Sequence, residues 1–207
     1  MRDIGALFST LNRDRYLQFV QVLSQSSGSI LNNANLARIL GVSEPTIRDW
    51  LRIAHDTFLW RHLPAWNRSL AKQVVKHPKG LLRDSGLLHR LLRIATPELL
   101  ATHPLLGNSW ESMVIELLLR GFENHGIRVN GSHFRTRGGA EIDLILEGDF
   151  RLIPVEVKHT TLTNLRGLRA LQEFVREYKC PLGLIISRDE QPRQLDERIL
   201  VVPVGCL

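Results

Sequence analysis

The sequence predicts a mixed α/β protein in which a basic, mainly helical first half precedes a mixed sheet flanked by helices. Apolar residues recur at three- and four-residue spacing in the first half, and short apolar runs of strand length dominate the second. Residues 1–105 contain 14 Lys and Arg against 7 Asp and Glu, whereas residues 106–207 contain 13 against 14. Pro104 and Gly107 interrupt the pattern within Thr102–Asn108, so we expect two domains, 1–105 and 106–207.

Composition excludes several classes of protein. The chain has 207 residues, 43% of them hydrophobic, which is enough to bury one large core or two small ones. It has no apolar run long enough to span a membrane, and its start (MRDIGALFST) lacks the pattern of a secretory signal. Cys180 and Cys206 are too few for a disulfide framework, and no Cys/His cluster has zinc spacing. We therefore expect a cytoplasmic protein.

Two consecutive helices of the first half are typical of a helix-turn-helix unit. A preceding amphipathic helix ends before Ser24–Ser29. Within Asn35–Ile53, a short helix stops at Gly41, and Ser43 is a good N-cap for a second helix with Pro45 in its first turn. Apolar residues of the unit are predicted to face inward: Leu36, Ala37, Leu40, Ile47 and Leu51. The second helix of such a unit can enter a DNA major groove.

The outward face of the second helix has the residue types that contact DNA. Arg48 and Arg52 are suited to bases or phosphates, and Thr46, near the start of the helix, is suited to a phosphate. We therefore expect DNA contact through these three residues. The alternative is a unit that only holds its domain together or binds protein, because many helix-turn-helix units do so.

A basic ribbon follows the helix-turn-helix unit. Thr57–Leu63 (TFLWRHL) is predicted to be a strand, and Lys72–Arg83 (KQVVKHPKGLLR) to be the ribbon. Lys72, Lys76 and Lys79 would then form a basic wing that flanks the helix-turn-helix and contacts DNA. A solvated hairpin with scattered lysines is an equally simple interpretation.

Two strand-like runs of the second half contain charged residues among apolar ones. Ala140–Leu146 (AEIDLIL) contains Asp143, and Leu152–Lys158 (LIPVEVK) contains Glu156 and Lys158. Successive side chains of a strand alternate between its faces, so the last two share one face. Charged residues are normally excluded from apolar strands, which draws attention to these three.

The register of the two strands decides whether the three charged groups meet. If Gly148 and Asp149 form a two-residue hairpin loop, Asp143 lies opposite Pro154 and diagonal to Glu156. Both carboxylates and the lysine then lie on one face of the sheet. A slip of one residue would separate them.

Two carboxylates and a lysine on one surface predict a divalent-metal site for attack on a phosphodiester. Mg²⁺ or Mn²⁺ takes oxygen ligands, stabilises charge on the phosphoryl oxygens and lowers the pKa of a bound water. Lys158 would position that water or neutralise the developing charge. Glu111, near the start of the predicted helix Trp110–Arg120, would supply a third acid. The alternative is an ordinary surface ion pair on the solvent-facing side of a sheet.

The remaining segments complete the predicted sheet. Leu165–Tyr178 has an apolar stripe at helical spacing, and Pro181–Ser187 and Ile199–Val204 have the pattern of buried strands. Asp189–Arg198 is polar and is predicted to be a solvated loop or short helix.

As a set, several segments between about Ile4 and Val204 resemble the C-terminal region of bacterial and archaeal AAA-type ATPases that carry a domain of unknown function. The similar segments follow the family's order: Gly28–Leu40 (GSILNNANLARIL), Pro45–Leu51 (PTIRDWL), Lys76–Leu88 (KHPKGLLRDSGLL), Gly107–Leu118 (GNSWESMVIELL) and Phe134–Lys158. The resemblance implies a winged-helix-like first domain. It also implies a restriction-endonuclease-like second domain, because the tail of that family is similar to the PD-(D/E)XK nuclease superfamily.

The resemblance to PD-(D/E)XK nucleases assigns roles to particular residues. It implies that Glu111, Asp143, Glu156 and Lys158 are catalytic and that the three acids bind the metal. It further implies that Val157 offers its backbone carbonyl to the metal. The implied cofactor is therefore Mg²⁺ or Mn²⁺.

The chain departs from this family in one respect, because it contains no G-x-x-x-x-G-K-[ST] loop for ATP binding. We therefore expect a DNA-binding protein with a metal-dependent deoxyribonuclease-like domain that hydrolyses no ATP itself. DNA is the expected partner, together with an ATPase domain or a second copy of the chain. Two alternatives remain: a non-catalytic DNA- or protein-binding regulatory module of such an ATPase, and a domain used only for interaction or oligomerisation.

Overall fold

A computed structural model of the chain describes residues 11–66, 77–161 and 168–207. These fall into two compact units, the second of which contains Trp110–Leu207. Its beginning lies close to the boundary expected between residues 105 and 106. The second unit also includes Leu63–Lys79, a segment from the middle of the predicted first domain. Contiguous domains were expected, so this segment is a difference that periodicity alone did not indicate.

In its described residues the first unit begins with a helix, a strand, two helices and two strands. Its helices are α1 (Arg13–Ser24), α2 (Asn33–Leu40), α3 (Glu44–Asp56), α4 (Ser85–Leu91) and α5 (Pro97–Ala101), followed by the start of the long helix α6 (Leu106–Asn124). Its strands are β1 (Ser29–Ile30), β2 (Trp60–Leu63) and β3 (Lys79–Leu82), with β3 between the other two. The predicted mixed fold class is confirmed.

Local capping explains where the helix-turn-helix begins and ends. The Asn32 side chain accepts the Asn35 N–H at the start of α2, which ends at Gly41 in the left-handed conformation with φ 63°. The Ser43 side chain accepts the Thr46 N–H at the start of α3, whose first turn contains Pro45. The predicted helix boundaries are confirmed, and so is the burial of the inward-facing apolar residues.

The predicted strand Thr57–Leu63 is shorter than expected. Thr57 is the C-cap of α3, and Phe58 takes φ 57°, so β2 starts only at Trp60. The Trp60 ring packs directly against the backbone of Gly80 in β3. A Cβ placed on Gly80 would lie 2.1 Å from Cζ2 of Trp60. Only glycine therefore fits at that position of β3.

The second unit is built on a mixed sheet with strand order β4-β5-β6-β7-β9-β8. Its strands and second helix are β4 (Val129–Arg135), β5 (Glu141–Gly148), β6 (Arg151–Val157), α7 (Arg169–Glu177), β7 (Gly183–Ser187), β8 (Arg193–Asp196) and β9 (Ile199–Pro203). The pairs β4·β5, β5·β6 and β8·β9 are antiparallel, whereas β6·β7 and β7·β9 are parallel. The prediction of a loop or short helix over Asp189–Arg198 is wrong at β8, which pairs along the edge of the sheet despite its polar sequence.

The β5–β6 hairpin has a different register from the predicted one. Gly148 pairs with Arg151, so the loop is Asp149-Phe150, and Pro154 pairs with Ile145 rather than with Asp143. Packing explains the shift, because the Phe150 ring contacts the Phe122 ring of α6 at 5.7 Å between centroids. The pairing moves by two positions, so Asp143 lies beside the end of β6, next to the last backbone pair of Leu144 with Val155.

A bulge in β5 directs a key carboxylate away from the apolar core. One residue of β4, His133, lies opposite two residues of β5, Asp143 and Leu144. Ile142 and Ile145, on either side of the bulge, consequently join the same apolar cluster. Bulges of this kind change the direction of individual side chains and are common beside functional sites.

The core of the second unit includes a residue from the chain between β2 and β3. Trp66 is buried and contacts the rings of Phe134, Phe174 and Tyr178 at 4.8 to 6.1 Å between centroids. The backbone N–H of Trp66 donates to the His133 carbonyl at 2.7 Å. These contacts explain why Leu63–Lys79 joins the second unit. Among the described helices, none combines the length and apolar character needed to cross a membrane.

Candidate functional site

Charged side chains from distant parts of the chain meet in the second unit. We call this group the acid cluster; it consists of Lys79, Glu111, Glu141, Asp143, Glu156 and Lys158. They lie on the first residue of β3, the first half of α6, the start of β5 and the end of β6. Glu111, Asp143, Glu156 and Lys158 are the four residues that the sequence singled out, and the fold brings them together.

The end of β6 holds the first part of the acid cluster. The Lys158 ammonium donates to Glu156 Oε1 at 2.6 Å, and the Lys158 backbone N–H donates to the Ile186 carbonyl at 2.8 Å. Asp143 Oδ2 accepts the Val157 N–H at 2.8 Å. The Asp143 side chain thus continues the pairing of β5 with β6 beyond the last backbone pair. Val157 contacts the cluster through its N–H, and the metal contact that the resemblance implies for its carbonyl stays a prediction.

Lys79 holds the second part of the acid cluster. It is only 3% exposed, and its ammonium donates to Glu111 Oε1 at 2.5 Å and to Glu141 Oε1 at 3.4 Å. The prediction of an exposed basic wing is therefore wrong for Lys79, because two carboxylates of the second unit bind its side chain in the interior. Lys72 and Lys76, the other two residues of that prediction, lie outside the described residues.

Burial makes the carboxyl groups of the cluster hard to ionise. It raises the pKa of Glu156 to about 7, with a further increase from Asp143 and a partial decrease from Lys158. Burial likewise raises the pKa of Asp143, although Lys79 and the Val157 N–H oppose the change. The pKa of Glu111 rises through burial and through Asp143, and Lys79 limits the rise. The cluster therefore binds protons at pH values where exposed carboxyl groups are ionised.

The two lysines remain charged in this environment. Burial by itself lowers the pKa of Lys79, but Glu111, Asp143 and Glu141 together raise it above its ordinary value. The pKa of Lys158 is raised in the same way, since Glu156 and the other acids outweigh the effect of burial. Two ammonium groups and the Arg135 guanidinium, which lies 3.5 Å from Glu141 Oε2, thus face four carboxyl groups, so acidic groups remain in excess by one.

The donor set suits a hard divalent cation bound with the help of a substrate. Among the described residues, no three or more His, Cys, Asp or Glu side chains form a group that could hold a metal ion. Mg²⁺ is commonly bound by one or two carboxylates together with phosphate oxygens and water, so it needs no complete protein cage. The surplus of acid favours such a cation, and Asp143 and Glu156 are the residues that would hold it.

The helix-turn-helix presents a second, separate candidate surface. Arg48 is 58% exposed in its side chain and lies 3.8 Å from Glu44, while Arg52 is 71% exposed and lies 3.1 Å from Asp49. Thr46 shares a 2.9 Å hydrogen bond with Ser43 at the start of α3. Exposed pairs of this kind contribute little to stability. The fold therefore leaves both guanidinium groups accessible to solvent.

Two cluster residues were not predicted as part of the acid cluster. Glu141 precedes Asp143 by two positions in the same strand, a spacing that could have indicated it. Lys79 had no comparable local signal, because its partners lie 32 and 62 positions further along the chain.

Comparison with known protein families divides the chain into two domains of unknown function. Residues 1–98 match the model of a domain of unknown function (DUF8612), and residues 106–207 match that of another (DUF4143). The uncharacterized protein Mb2031c of Mycobacterium bovis is 30% identical over 182 residues, which make up 88% of this chain and 40% of the relative. The uncharacterized protein Rv2008c of Mycobacterium tuberculosis matches with the same values. The chain thus spans 40% of the length of these curated relatives. No solved structure matches it.

Proposed function

We propose that the chain is a DNA-binding protein whose second unit cleaves phosphodiesters with the help of a divalent metal ion. The observation that carries this proposal is the meeting of Asp143, Glu156 and Lys158 at the ends of two adjacent strands. Buried carboxyl groups with raised pKa values and charged partners are typical of functional sites. The acid cluster combines these properties with a lysine that keeps partial access to solvent.

Each residue of the proposed site has a definite task. Asp143, fixed by the Val157 N–H, and Glu156 would hold Mg²⁺ or Mn²⁺, which supplies charge stabilisation and an activated water. The Lys158 ammonium lies 2.6 Å from Glu156 and is about one-third exposed, so it can orient the attacking water or bind a phosphoryl oxygen. Glu111 acts through Lys79, to which it is bonded.

DNA is the substrate that the helix-turn-helix favours. Arg48 and Arg52 lie on the exposed face of α3, and Thr46 lies in its first turn, near the helix N-terminus. Main-chain N–H groups at a helix start and flexible guanidinium groups are common phosphate contacts. The excess of basic residues in 1–105 would strengthen the attraction at low salt.

An ATPase is a proposed partner of the chain. The support is the resemblance of the chain to the C-terminal region of AAA-type ATPases, together with relatives that are longer than this chain. In such an arrangement the helix-turn-helix and the acid cluster would act on DNA that the ATPase moves or remodels. Co-purification with a separately expressed ATPase domain of a longer relative would test the association.

The experiment that tests cleavage compares matched variants on supercoiled and linear DNA in Mg²⁺, Mn²⁺ or EDTA. Asp143→Asn keeps an oxygen that can accept the Val157 N–H but removes the negative charge. Lys158→Met removes the ammonium and keeps roughly the length of the side chain. Glu147→Gln, at an exposed position of the same strand, is the control. We expect metal-dependent nicking by the wild type and by Glu147→Gln and none by the other two. Nicking that persists in Asp143→Asn would contradict the proposal.

A non-catalytic regulatory module is the second candidate. The observation that favours it is the ion pairing inside the acid cluster, since Lys79 with Glu111 and Lys158 with Glu156 resemble a buried structural network. Retention of DNA by the wild type without nicking under any metal condition would support this candidate. Absence of DNA affinity at low salt would instead favour a domain used only for interaction or oligomerisation.

A further inference from the structure

Lys79 is a residue of the acid cluster to which the proposed chemistry gives no contact with the metal or the phosphate. Its ammonium is buried and bonded to Glu111 and Glu141, so it cannot reach a phosphate on the surface. We propose that Lys79 is a built-in counter-cation of the acid cluster and that it weakens divalent-metal binding by Asp143 and Glu156. This inference rests on the proposed metal site and adds a residue that sets its affinity.

The contacts of Lys79 connect it to both halves of the cluster. It lies 2.5 Å from Glu111 Oε1, on α6, and 3.4 Å from Glu141 Oε1, on β5. Glu141 is two positions from Asp143 in the same strand, and the Lys79 and Asp143 charges attract each other. A cation held by Asp143 would therefore experience the repulsion of the ammonium group.

Hydrogen bonds hold the backbone near Lys79 against β4, so the ammonium has little freedom to move away from the carboxylates. His133 of β4, opposite the bulge of β5, makes these contacts. Its Nε2–H donates to the His77 carbonyl at 3.0 Å, and its backbone N–H donates to the Pro64 carbonyl at 2.9 Å. The His133 carbonyl accepts the Trp66 N–H at 2.7 Å. One buried residue thus holds both described ends of the β2–β3 connection against β4.

The electrostatic consequence has a definite sign. A positive charge at fixed distance disfavours a second cation, and a medium of lower dielectric than water strengthens the effect. Removal of the ammonium should therefore tighten metal binding by about tenfold, because the charge of a buried ammonium is only weakly screened by salt. Without any metal, the same change removes the Lys79 partner of Glu111, whereas Glu141 keeps its ion pair with Arg135.

The test measures binding of Mn²⁺ alone by isothermal titration calorimetry, without DNA and without an activity readout. Lys79→Met removes the ammonium and keeps most of the side-chain volume, while Lys79→Arg keeps the charge. Lys179→Met is the matched control, because it makes the same change in net charge at an exposed position. We expect Lys79→Met to bind Mn²⁺ about tenfold more tightly than the wild type, with Lys79→Arg and Lys179→Met close to the wild type. Equal affinity in Lys79→Met and Lys179→Met would overturn the inference.

A folding measurement covers the case in which Lys79→Met does not fold in EDTA. If the ammonium acts as a counter-cation, Mn²⁺ should restore the circular dichroism spectrum and a cooperative thermal transition, while Lys79→Arg folds in both conditions. A variant that stays unfolded at saturating Mn²⁺ would overturn the inference.

The same titration separates this inference from the proposed function. Binding that is lost in Asp143→Asn but unchanged in Lys79→Met leaves the metal site intact and removes only the role of Lys79. A lack of Mn²⁺ binding in every variant, the wild type included, would rule out a metal site that forms without substrate and would overturn the inference with it.

Discussion

The helix-turn-helix and the acid cluster both contain charged residues, but the ion pairs of the first are local and exposed, whereas those of the second join distant residues and include a buried lysine. Arg48 and Arg52 pair with acids of their own helix, three or four positions away, and stay in solvent. Lys79 pairs with acids 32 and 62 positions away and is buried. The first arrangement follows from local helix geometry, whereas the second exists only once the sheet has assembled. Charges of the first kind can be removed at little cost in stability, and those of the second cannot.

The largest expected effect on the free energy of unfolding concerns Leu63–Lys79, the segment that contains Trp66 and Lys79. Trp66 is buried in the aromatic cluster of the second unit, so Trp66→Ala should reduce the free energy of unfolding by about 4 kcal/mol. Urea denaturation would measure the loss, and amide hydrogen exchange would locate it. Protection should fall in β4, β5 and β6. The matched control, Ile39→Ala at a 53% exposed position of α2, should change stability far less. Loss of protection confined to α1–α3 would contradict the assignment of Leu63–Lys79 to the second unit.

The next effect compares a buried cation with an exposed one. In EDTA, Lys79→Met should lower the free energy of unfolding by about 3 kcal/mol, because it leaves Glu111 and Glu141 without their shared partner. Arg52→Met removes one charge from an exposed pair and should change stability by at most about 0.5 kcal/mol. Denaturant titrations of the two variants at one pH would show the difference. Similar losses in both would mean that burial does not distinguish the two kinds of charge.

A smaller effect follows from the raised pKa of Glu156. Its value in the folded protein is about 7, above the ordinary 4.5, so the folded state binds more protons than the unfolded state between these values. This group therefore contributes stability below pH 4.5 that is lost as the pH rises through about 7. In EDTA, Glu156→Gln should remove about 2 kcal/mol of the pH-dependent loss.

Thermal melts of the Glu156 variant between pH 5 and 8 would check this sign. The control is Glu147→Gln, an exposed residue of β5, which should keep the pH dependence of the wild type. Mn²⁺ should oppose the trend, because its binding requires ionised carboxylates and becomes stronger as they lose their protons. A wild type whose stability increases steadily over this range in EDTA would contradict a raised pKa for Glu156.

The two regions also differ in how far sequence reasoning could reach. Capping residues and apolar spacing predicted α2 and α3 because each signal lies within a few residues of the structure it causes. Alternation in β5 and β6 predicted that Asp143, Glu156 and Lys158 meet. The loop position was wrong because the packing of Phe150 on Phe122, rather than turn chemistry, decides the register. Asp143 still lies against the end of β6, because its side chain accepts the Val157 N–H.

Other errors had the same origin in long-range contacts. Lys79 has the appearance of a surface lysine in a basic ribbon, and only its distant partners make it a buried one. β8 has no alternating apolar pattern, since it pairs at a sheet edge through its backbone while its side chains remain largely in solvent. The bulge opposite His133 depends on the pairing of two strands and has no signature in either strand alone. In each case the deciding partner lies too far along the chain for periodicity to reveal it.

The smallest effect on stability is expected on the helix-turn-helix. A substitution there should leave the fold intact and change only DNA binding. Arg48→Ala should change the free energy of unfolding by no more than about 0.5 kcal/mol, because its pair with Glu44 is exposed. If α3 contacts DNA, the same variant should weaken binding and reduce the dependence of log affinity on log salt by about 1. Fluorescence anisotropy with a labelled duplex at several salt concentrations would measure both. Arg176→Ala, an exposed arginine of α7 in the second unit, is the control and should leave the salt dependence unchanged. An identical salt dependence in Arg48→Ala and the wild type would remove α3 from the DNA interface, because a lost phosphate contact must reduce the number of counterions released.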